Sequence, residues 1–243
     1  FFFKTRQQYF MYQFNFRVYQ ERREIFLSKL AGKAAIIPGA NLVQHHSDCE
    51  YPFRQDSDFW YLTGFDEPNA IALFLSHKPK GDRFILFVNP KEVTSEVWNG
   101  FRWGIEGAEN LYKADKAHSV DRFDELLPHY LKGTEEIIFA VGKNPKVETV
   151  ILETWSNQLQ HSSRIGFAPK SIKSPSSYLN GMRLLKSDYE IERMREAVQI
   201  SAEAHELVRK NLSQKNNERQ IQGLIEGFFL EKGARGPAYN SIV

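Results

Sequence analysis

Short apolar runs alternate along this chain with longer segments of helical periodicity, and this alternation is the feature that most limits its fold. The apolar runs predict strands at residues 34–37, 59–63, 70–76, 83–89 and 136–141. Apolar residues at helical spacing predict helices at residues 18–30, 121–131 and 147–159. Because strands and helices alternate, the sequence predicts an α/β fold with a mixed sheet flanked by helices.

Composition narrows the class of protein. Hydrophobic residues make up 42% of the chain and charged residues 26%, which is typical of a soluble globular protein. The 32 basic and 30 acidic residues leave a net charge of +2 without a basic stripe, so we expect no nucleic-acid partner. The single Cys49 excludes an intramolecular disulfide framework and fits a reducing, cytoplasmic location. No window approaches 18 consecutive apolar residues, so we expect no membrane span.

Three regions follow from changes in composition. Residues 1–17 form an atypical extension, rich in Phe and Tyr but interrupted by basic residues and Gln, without the apolar core of a secretory signal. This extension is either amphipathic or disordered, or reflects a start codon assigned too early. The Pro- and Ser-rich stretch 168–177 predicts a boundary between an α/β domain at 18–170 and a second domain at 171–243. There, Ser187 and Glu190 form a capping box that predicts a helix start, and a further helix is expected at 218–232.

The stretch EYPFRQDSDFWYLTGFDEPNA, residues 50–70 (the 50–70 motif), places charges beside large aromatic side chains. Arg54, Asp56 and Asp58 directly precede Trp60 and Tyr61. The two carboxylates with an arginine could perform acid–base chemistry. The favoured interpretation is a structural ion-pair network, because such networks imitate sites and charges beside a core are usually paired.

A second polar cluster, HHSDCE at residues 45–50, offers two imidazoles, a thiol and two carboxylates. Adjacent histidines diverge on most backbones, and zinc sites need spaced ligands, so we favour a polar loop over a metal site. The remaining histidines have no spaced partners. The sequence contains neither a phosphate-binding glycine pattern nor a G-x-S-x-G nucleophile turn.

The segment SEVWNGFRWG, residues 95–104, carries Trp98, Arg102 and Trp103 around glycines. Exposed tryptophan is unfavourable, so either a partner covers these side chains or they pack beneath the loop. An aromatic and cationic surface of this kind suits a peptide or a partner subunit. Both interpretations stay open on these residues alone.

The 50–70 motif strongly resembles the N-terminal domain of aminopeptidase P, the Xaa-Pro aminopeptidase of the creatinase/prolidase group of metallopeptidases. GMRLLKSDYEIERMREAVQISAEAH (181–205) resembles the entry into the catalytic domain of that family, and ARGPAYNSIV (234–243) resembles one of its strands. The resemblance covers about residues 20–243. It implies an α/β domain followed by a pita-bread domain that holds two Mn²⁺ ions on two Asp, one His and two Glu.

The resemblance implies that all five metal ligands would lie beyond Val243, so that no catalytic or metal-binding residue is expected in this chain and the chain alone is expected to be inactive. It also implies peptide substrates with proline at the second position. A homo-oligomer, dimer or tetramer, is implied as well, with Trp98 and Arg102 near the substrate site of a neighbouring subunit. Three functions therefore remain: a fragment of an Xaa-Pro aminopeptidase, a non-catalytic module for self-association or subunit pairing, and a creatinase-like, metal-free hydrolase.

Overall fold

The computed structural model describes residues 15–215 and 217–243, so most of the predicted N-terminal extension lies outside the described residues. The strands are β1 (Ala34–Pro38), β2 (Gln44–His46), β3 (Cys49–Glu50), β4 (Ile71–Leu75), β5 (Phe84–Val88), β6 (Lys116–Ser119), β7 (Ile137–Ile138) and β8 (Ile172–Lys173). The α-helices are α1 (Phe16–Leu30), α2 (Ser57–Thr63), α3 (Val93–Asn99), α4 (Gly104–Asn110), α5 (Phe123–Tyr130), α6 (Pro145–Gln160), α7 (Ser162–Ile165), α8 (Ser176–Leu184), α9 (Asp188–Asn211) and α10 (Glu218–Glu231).

Within the described residues, six strands form one mixed sheet in the order β6-β5-β4-β1-β7-β8. The three central strands β1, β4 and β5 pair antiparallel. The pairs β5–β6, β1–β7 and β7–β8 are parallel. The sheet is therefore mixed, and the predicted α/β class with flanking helices is confirmed.

The core forms on the sheet because β1, β4 and β5 are apolar at every position. Every residue of these strands is buried, as expected where helices cover both faces. Ile36, Leu73 and Phe87 belong to a cluster completed by side chains of α5 and α6, among them Phe123 and Ile151. Phe74 alternates with this set and packs against Phe26 of α1, with ring centroids 5.2 Å apart. Burying each such side chain contributes about 1.5–3 kcal/mol.

Helix α1 has one charged side chain on its buried face. Tyr19, Arg23, Phe26 and Leu30 are its buried residues, spaced at helical intervals. The Arg23 guanidinium donates to the carbonyl oxygens of Leu62 and Tyr112, at 3.2 and 3.0 Å. It also lies over the Phe84 ring, 4.2 Å from the centroid. Burial lowers the pKa of Arg23 to about 10, so the side chain keeps its charge at neutral pH.

The predicted strand at 59–63 is wrong, because these residues form helix α2. Aromatic and β-branched residues favour strands, but local caps decide the outcome here. The Asp56 side chain accepts hydrogen bonds from the backbone N–H groups of Asp58 and Phe59 and so starts the helix. Gly64 ends it with a φ of 64°, a conformation that glycine adopts without strain.

The predicted strand at 136–141 is shorter than expected. Only Ile137–Ile138 pairs as a strand, although Phe139 is also buried. The Phe139 N–H still donates to the Lys173 carbonyl, after which the chain leaves the sheet. A turn at Gly142 and a cap by the Asn144 side chain then begin α6. Turn and cap residues thus end the strand before its apolar run ends.

The described residues as far as Gly181 form one compact unit, and Met182–Val243 form another. The strand β8 lies inside the stretch 168–177, where a domain boundary is predicted, and pairs with β7 of the first unit. The domain limits 18–170 and 171–243 stay a prediction. No helix within the described residues is long and apolar enough to cross a bilayer.

The second unit consists mainly of α9 and α10. The predicted capping box is confirmed: the Ser187 side chain and the Glu190 side chain cap each other's backbone at the start of α9. Lys232 pairs with Glu203 at 3.1 Å and links the two helices. The predicted helix at 218–232 is confirmed as α10, and four of its apolar residues are half-buried: Ile221, Leu224, Ile225 and Phe228. The expected strand at 234–243 is absent from the structure of these residues.

Candidate functional site

Helix α3 presents an aromatic side chain to solvent. Trp98 is 88% exposed, and the preceding Val97 is 73% exposed. Gly100 ends the helix with a φ of 79°. Trp103, by contrast, is half-buried and packs edge-on against Phe101, with centroids 4.9 Å apart. The two tryptophans of this segment therefore have different environments: Trp103 packs against a neighbouring ring, and Trp98 faces solvent.

Two carboxylates hold the backbone that follows α3. The backbone N–H of Arg102 donates to Glu96 Oε1 at 2.8 Å. The backbone N–H of Trp103 donates to Glu67 Oε1 at 2.6 Å. Residues 96–104, hereafter the aromatic segment, are thereby fixed at two successive peptide groups. Arg102 itself is half-buried, so the candidate residues Trp98 and Arg102 belong to one segment with one set of anchors.

Glu67 is a buried carboxyl that the sequence did not single out. It belongs to the segment that connects α2 to β4, and the residue is only 6% exposed. Burial raises its pKa to about 7, although the Trp103 N–H and the charge of Arg102 both act to lower it. Glu67 Oε2 has no hydrogen-bond partner among the described residues. A buried oxygen without a partner is unfavourable once the carboxyl ionises.

The charged residues of the 50–70 motif form a structural network. Asp56 caps α2 and also pairs with Lys143 at 2.5 Å. Asp58 lies 3.7 Å from the same ammonium group. Lys143, which the sequence did not indicate, is thus a basic partner of these carboxylates, and Arg54 is exposed. These contacts support the network interpretation.

Replacing Asp56 with alanine is expected to lower the free energy of unfolding by about 1–2 kcal/mol, because α2 loses its N-cap. Urea unfolding followed by circular dichroism measures this change. Asp58→Ala is the matched control, since it removes a carboxylate of the same turn that does not cap the helix, and should cost about 0.5 kcal/mol or less. Equal losses in the two variants would contradict the capping role.

Gln55 is the residue that joins the motif to the sheet, and sequence reasoning missed it. The residue is 7% exposed. Its Oε1 accepts from the backbone N–H groups of Ala40 and Asp56, at 2.7 and 2.8 Å. Its Nε2 donates to the carbonyl oxygens of Phe65 and Glu67, at 3.1 and 2.9 Å. One neutral side chain therefore satisfies four backbone groups from three segments.

The cluster at 45–50 forms an exposed two-stranded hairpin, β2–β3, where a loop was predicted. His45 packs edge-on against Tyr51, with centroids 4.6 Å apart. Within residues 15–215 and 217–243, no group of three or more His, Cys, Asp or Glu side chains is placed to hold a metal ion.

Comparison with known proteins assigns the two parts of the chain to related families. Residues 19–139 match the model of the aminopeptidase P N-terminal domain. Residues 192–243 match the model of metallopeptidase family M24. The Xaa-Pro aminopeptidase of Haemophilus influenzae is 35% identical over 226 residues, covering 93% of this chain and 50% of that protein. The Xaa-Pro aminopeptidase of Escherichia coli is 33% identical over 227 residues, with 93% and 51% covered.

Solved structures agree with this assignment. Pseudomonas aeruginosa aminopeptidase PepP superimposes with a TM-score of 0.87 and 31% identity, covering 95% of this chain and 52% of that one. Proline aminopeptidase P II from Yersinia pestis gives a TM-score of 0.85 and 35% identity, with 95% and 53% covered. The chain spans about half the length of the curated relatives it matches. The relatives and the solved structures match along nearly the whole chain, and the two family models match within it at 19–139 and 192–243; the chain belongs to the aminopeptidase P family of metallopeptidases.

Proposed function

We propose that this chain supplies the N-terminal domain and the first part of the catalytic domain of an Xaa-Pro aminopeptidase, which releases an N-terminal residue that precedes proline. The observation that carries the proposal is the pair of family matches, with residues 19–139 in one domain model and 192–243 in the other. The curated relatives named Xaa-Pro aminopeptidase support a peptidase over the creatinase-like alternative.

The metal of this family does not fit the residues described here. A metallopeptidase needs several carboxylate or imidazole ligands around one position, and no group of three such side chains exists within residues 15–215 and 217–243. The resemblance implies two Mn²⁺ ions, and a solved E. coli aminopeptidase P is described as zinc-substituted. The metal ligands needed for the aminopeptidase activity are therefore proposed to come from elsewhere in the enzyme.

The purified 243-residue chain is therefore expected to hydrolyse no Xaa-Pro dipeptide, with or without added Mn²⁺. Equilibrium dialysis against Mn²⁺ should give no tight stoichiometric binding. The positive control is a fused enzyme, in which this chain is joined to the half of the E. coli relative that it does not match. The fused enzyme is expected to release the N-terminal residue in a metal-dependent manner. Metal-dependent hydrolysis by the chain alone would refute this part of the proposal.

Trp98 and Arg102 are proposed to contribute to the substrate site of a neighbouring subunit in a homo-oligomer. The exposure of Trp98 and Val97 on α3 supports an interaction surface. The same exposed pair also favours the second candidate function, a non-catalytic module for self-association. These candidates differ in what Trp98 affects: substrate affinity in the first, and subunit association alone in the second.

Trp98→Ala in the fused enzyme is expected to raise KM about tenfold, the effect of losing roughly 1.4 kcal/mol of contact. Because the side chain is 88% exposed within the chain, unfolding free energy should change by less than about 0.5 kcal/mol. Steady-state kinetics measure the first effect and urea unfolding the second. Trp98→Phe should restore most of the affinity. Unchanged kinetics with weakened association, measured by sedimentation, would favour the module instead.

A further inference from the structure

The environment of Glu67 differs between its two carboxyl oxygens. Oε1 accepts the Trp103 N–H at 2.6 Å, whereas Oε2 is buried without a hydrogen-bond partner among the described residues. The Glu67 backbone carbonyl accepts from Gln55 Nε2, which fixes the position of the residue against the 50–70 motif. The Glu67 backbone is thus bound to the 50–70 motif. Its carboxyl contacts the aromatic segment at one peptide group, the N–H of Trp103.

The part of the aromatic segment that Glu67 holds lies between two glycines in the left-handed region. Gly100 has a φ of 79° and Gly104 a φ of 64°. A side chain at Gly100 would meet nothing within 4 Å, so the backbone has open space at that position. Between the glycines, the backbone bonds of Arg102 to Glu96 and of Trp103 to Glu67 anchor the segment. Gly100 and Gly104 are suitable pivots, because glycine changes φ and ψ at low cost.

Four charged groups act on this carboxyl or on the segment it holds. Arg102 favours the ionised carboxylate, and Asp66 and Glu96 disfavour it. Lys91 lies over the Phe101 ring of the segment, 4.9 Å from its centroid. Burial outweighs the favourable contacts and raises the pKa of Glu67 from 4.5 to about 7.

We propose that Glu67 is a pH-dependent latch on residues 100–104: the neutral carboxyl keeps this stretch packed, and ionisation as the pH rises favours its release. The direction follows from linkage. In the released state Glu67 meets water and regains its usual acidity, so the packed state binds the proton more tightly than the released state. Raising the pH from the pKa of Glu67 in the released state to its pKa in the packed state therefore favours release. This inference concerns the chain itself and does not depend on the proposed aminopeptidase function.

The size of the effect follows from the two pKa values. The pKa of Glu67 is 4.5 in the released state and about 7 in the packed state. The equilibrium constant for release of residues 100–104 should therefore increase about tenfold between pH 6 and pH 8. Beyond about pH 8 the constant should level off, because Glu67 is then ionised in both states.

Labelling the full chain with [¹⁵N]tryptophan tests the latch directly, because the chain contains 4 tryptophans and each gives one backbone amide signal. The Trp103 amide is identified by its loss in Trp103→Phe. Its chemical shift should titrate with a midpoint at about pH 7. Its exchange with solvent, divided by the intrinsic rate at each pH, should rise about tenfold between pH 6 and pH 8.

Glu67→Gln keeps an oxygen that accepts the Trp103 N–H but has no charge to gain, so its Trp103 amide should neither titrate nor open with pH. Glu96→Gln is the matched control on the other anchor: its Trp103 amide should still titrate, with a midpoint somewhat below that of the wild type, because one charge that disfavours the ionised Glu67 is removed. The same titration in Glu67→Gln as in the wild type would overturn the proposal. A wild-type Trp103 amide whose shift is constant between pH 5.5 and pH 8.5 would overturn it as well, whatever the variants do.

Discussion

Gln55→Leu is expected to lower the free energy of unfolding of this chain by about 4 kcal/mol. The substitution keeps the volume but removes every polar atom, and four backbone groups lose their partner: two N–H groups and two carbonyls. Each buried group left without a hydrogen bond costs about 1–3 kcal/mol. A loss near 4 kcal/mol is a large part of the 5–15 kcal/mol that is typical of a folded domain. Urea unfolding followed by tryptophan fluorescence measures it.

The control for this variant is Gln160→Leu, which changes an exposed glutamine and should alter stability by less than about 0.5 kcal/mol. Gly39→Ala probes the same contact from the other side, because a side chain at Gly39 would lie 3.0 Å from Gln55 Oε1 and 3.1 Å from the Ala70 carbonyl. That crowding should cost about 1–3 kcal/mol. A Gln55→Leu chain as stable as the wild type would show that these bonds do not hold the motif to the sheet.

Arg23→Met is expected to be the second most damaging substitution, with a loss of about 3–5 kcal/mol. Methionine fills the space along α1 but donates no hydrogen bond, so the carbonyls of Leu62 and Tyr112 both lose their donor. The contact of the guanidinium with the Phe84 ring is lost as well. Because these partners lie on α2, on β5 and on the segment between α4 and β6, several elements should loosen together. Hydrogen exchange of those elements, with urea unfolding, measures the effect.

Arg17→Met is the matched control on the same helix. Arg17 pairs with Glu21 in solvent, with the side chain 84% exposed, so its removal should cost less than about 0.5 kcal/mol. A similar loss in the two variants would indicate that α1 responds to charge alone and not to the buried hydrogen bonds of Arg23.

The sequence predicted the sheet because its central strands are apolar at every position, a pattern that few other structures produce. The runs at β1, β4 and β5 were therefore located correctly. Helix α2 was missed because the pattern FWYLT favours a strand, while a single capping side chain at Asp56 and a glycine at Gly64 determine the helix. Caps of this kind act through two or three hydrogen bonds. A prediction from hydrophobic periodicity does not detect such bonds.

Trp98 and Arg102 could be named from the sequence because of their residue types, and their role stays a prediction. Gln55 and Glu67 could not be named, because they act through backbone groups that only the folded chain brings to them. Arg23 did have a signal in the sequence. It lies at helical spacing between Tyr19 and Phe26 on the apolar face of α1, so a charge there predicts a buried side chain with partners.

We propose that this chain supplies the N-terminal part of an Xaa-Pro aminopeptidase, and the activity of the fused enzyme with the unmatched half of the E. coli relative is the decisive test. The measurement is the rate at which the N-terminal residue is released from an Xaa-Pro peptide and from the matching Xaa-Ala peptide. We expect metal-dependent release from the Xaa-Pro peptide, at least about tenfold faster than from the Xaa-Ala peptide, a difference of roughly 1.4 kcal/mol. A folded fused enzyme that releases neither residue, or both at equal rates, would contradict it.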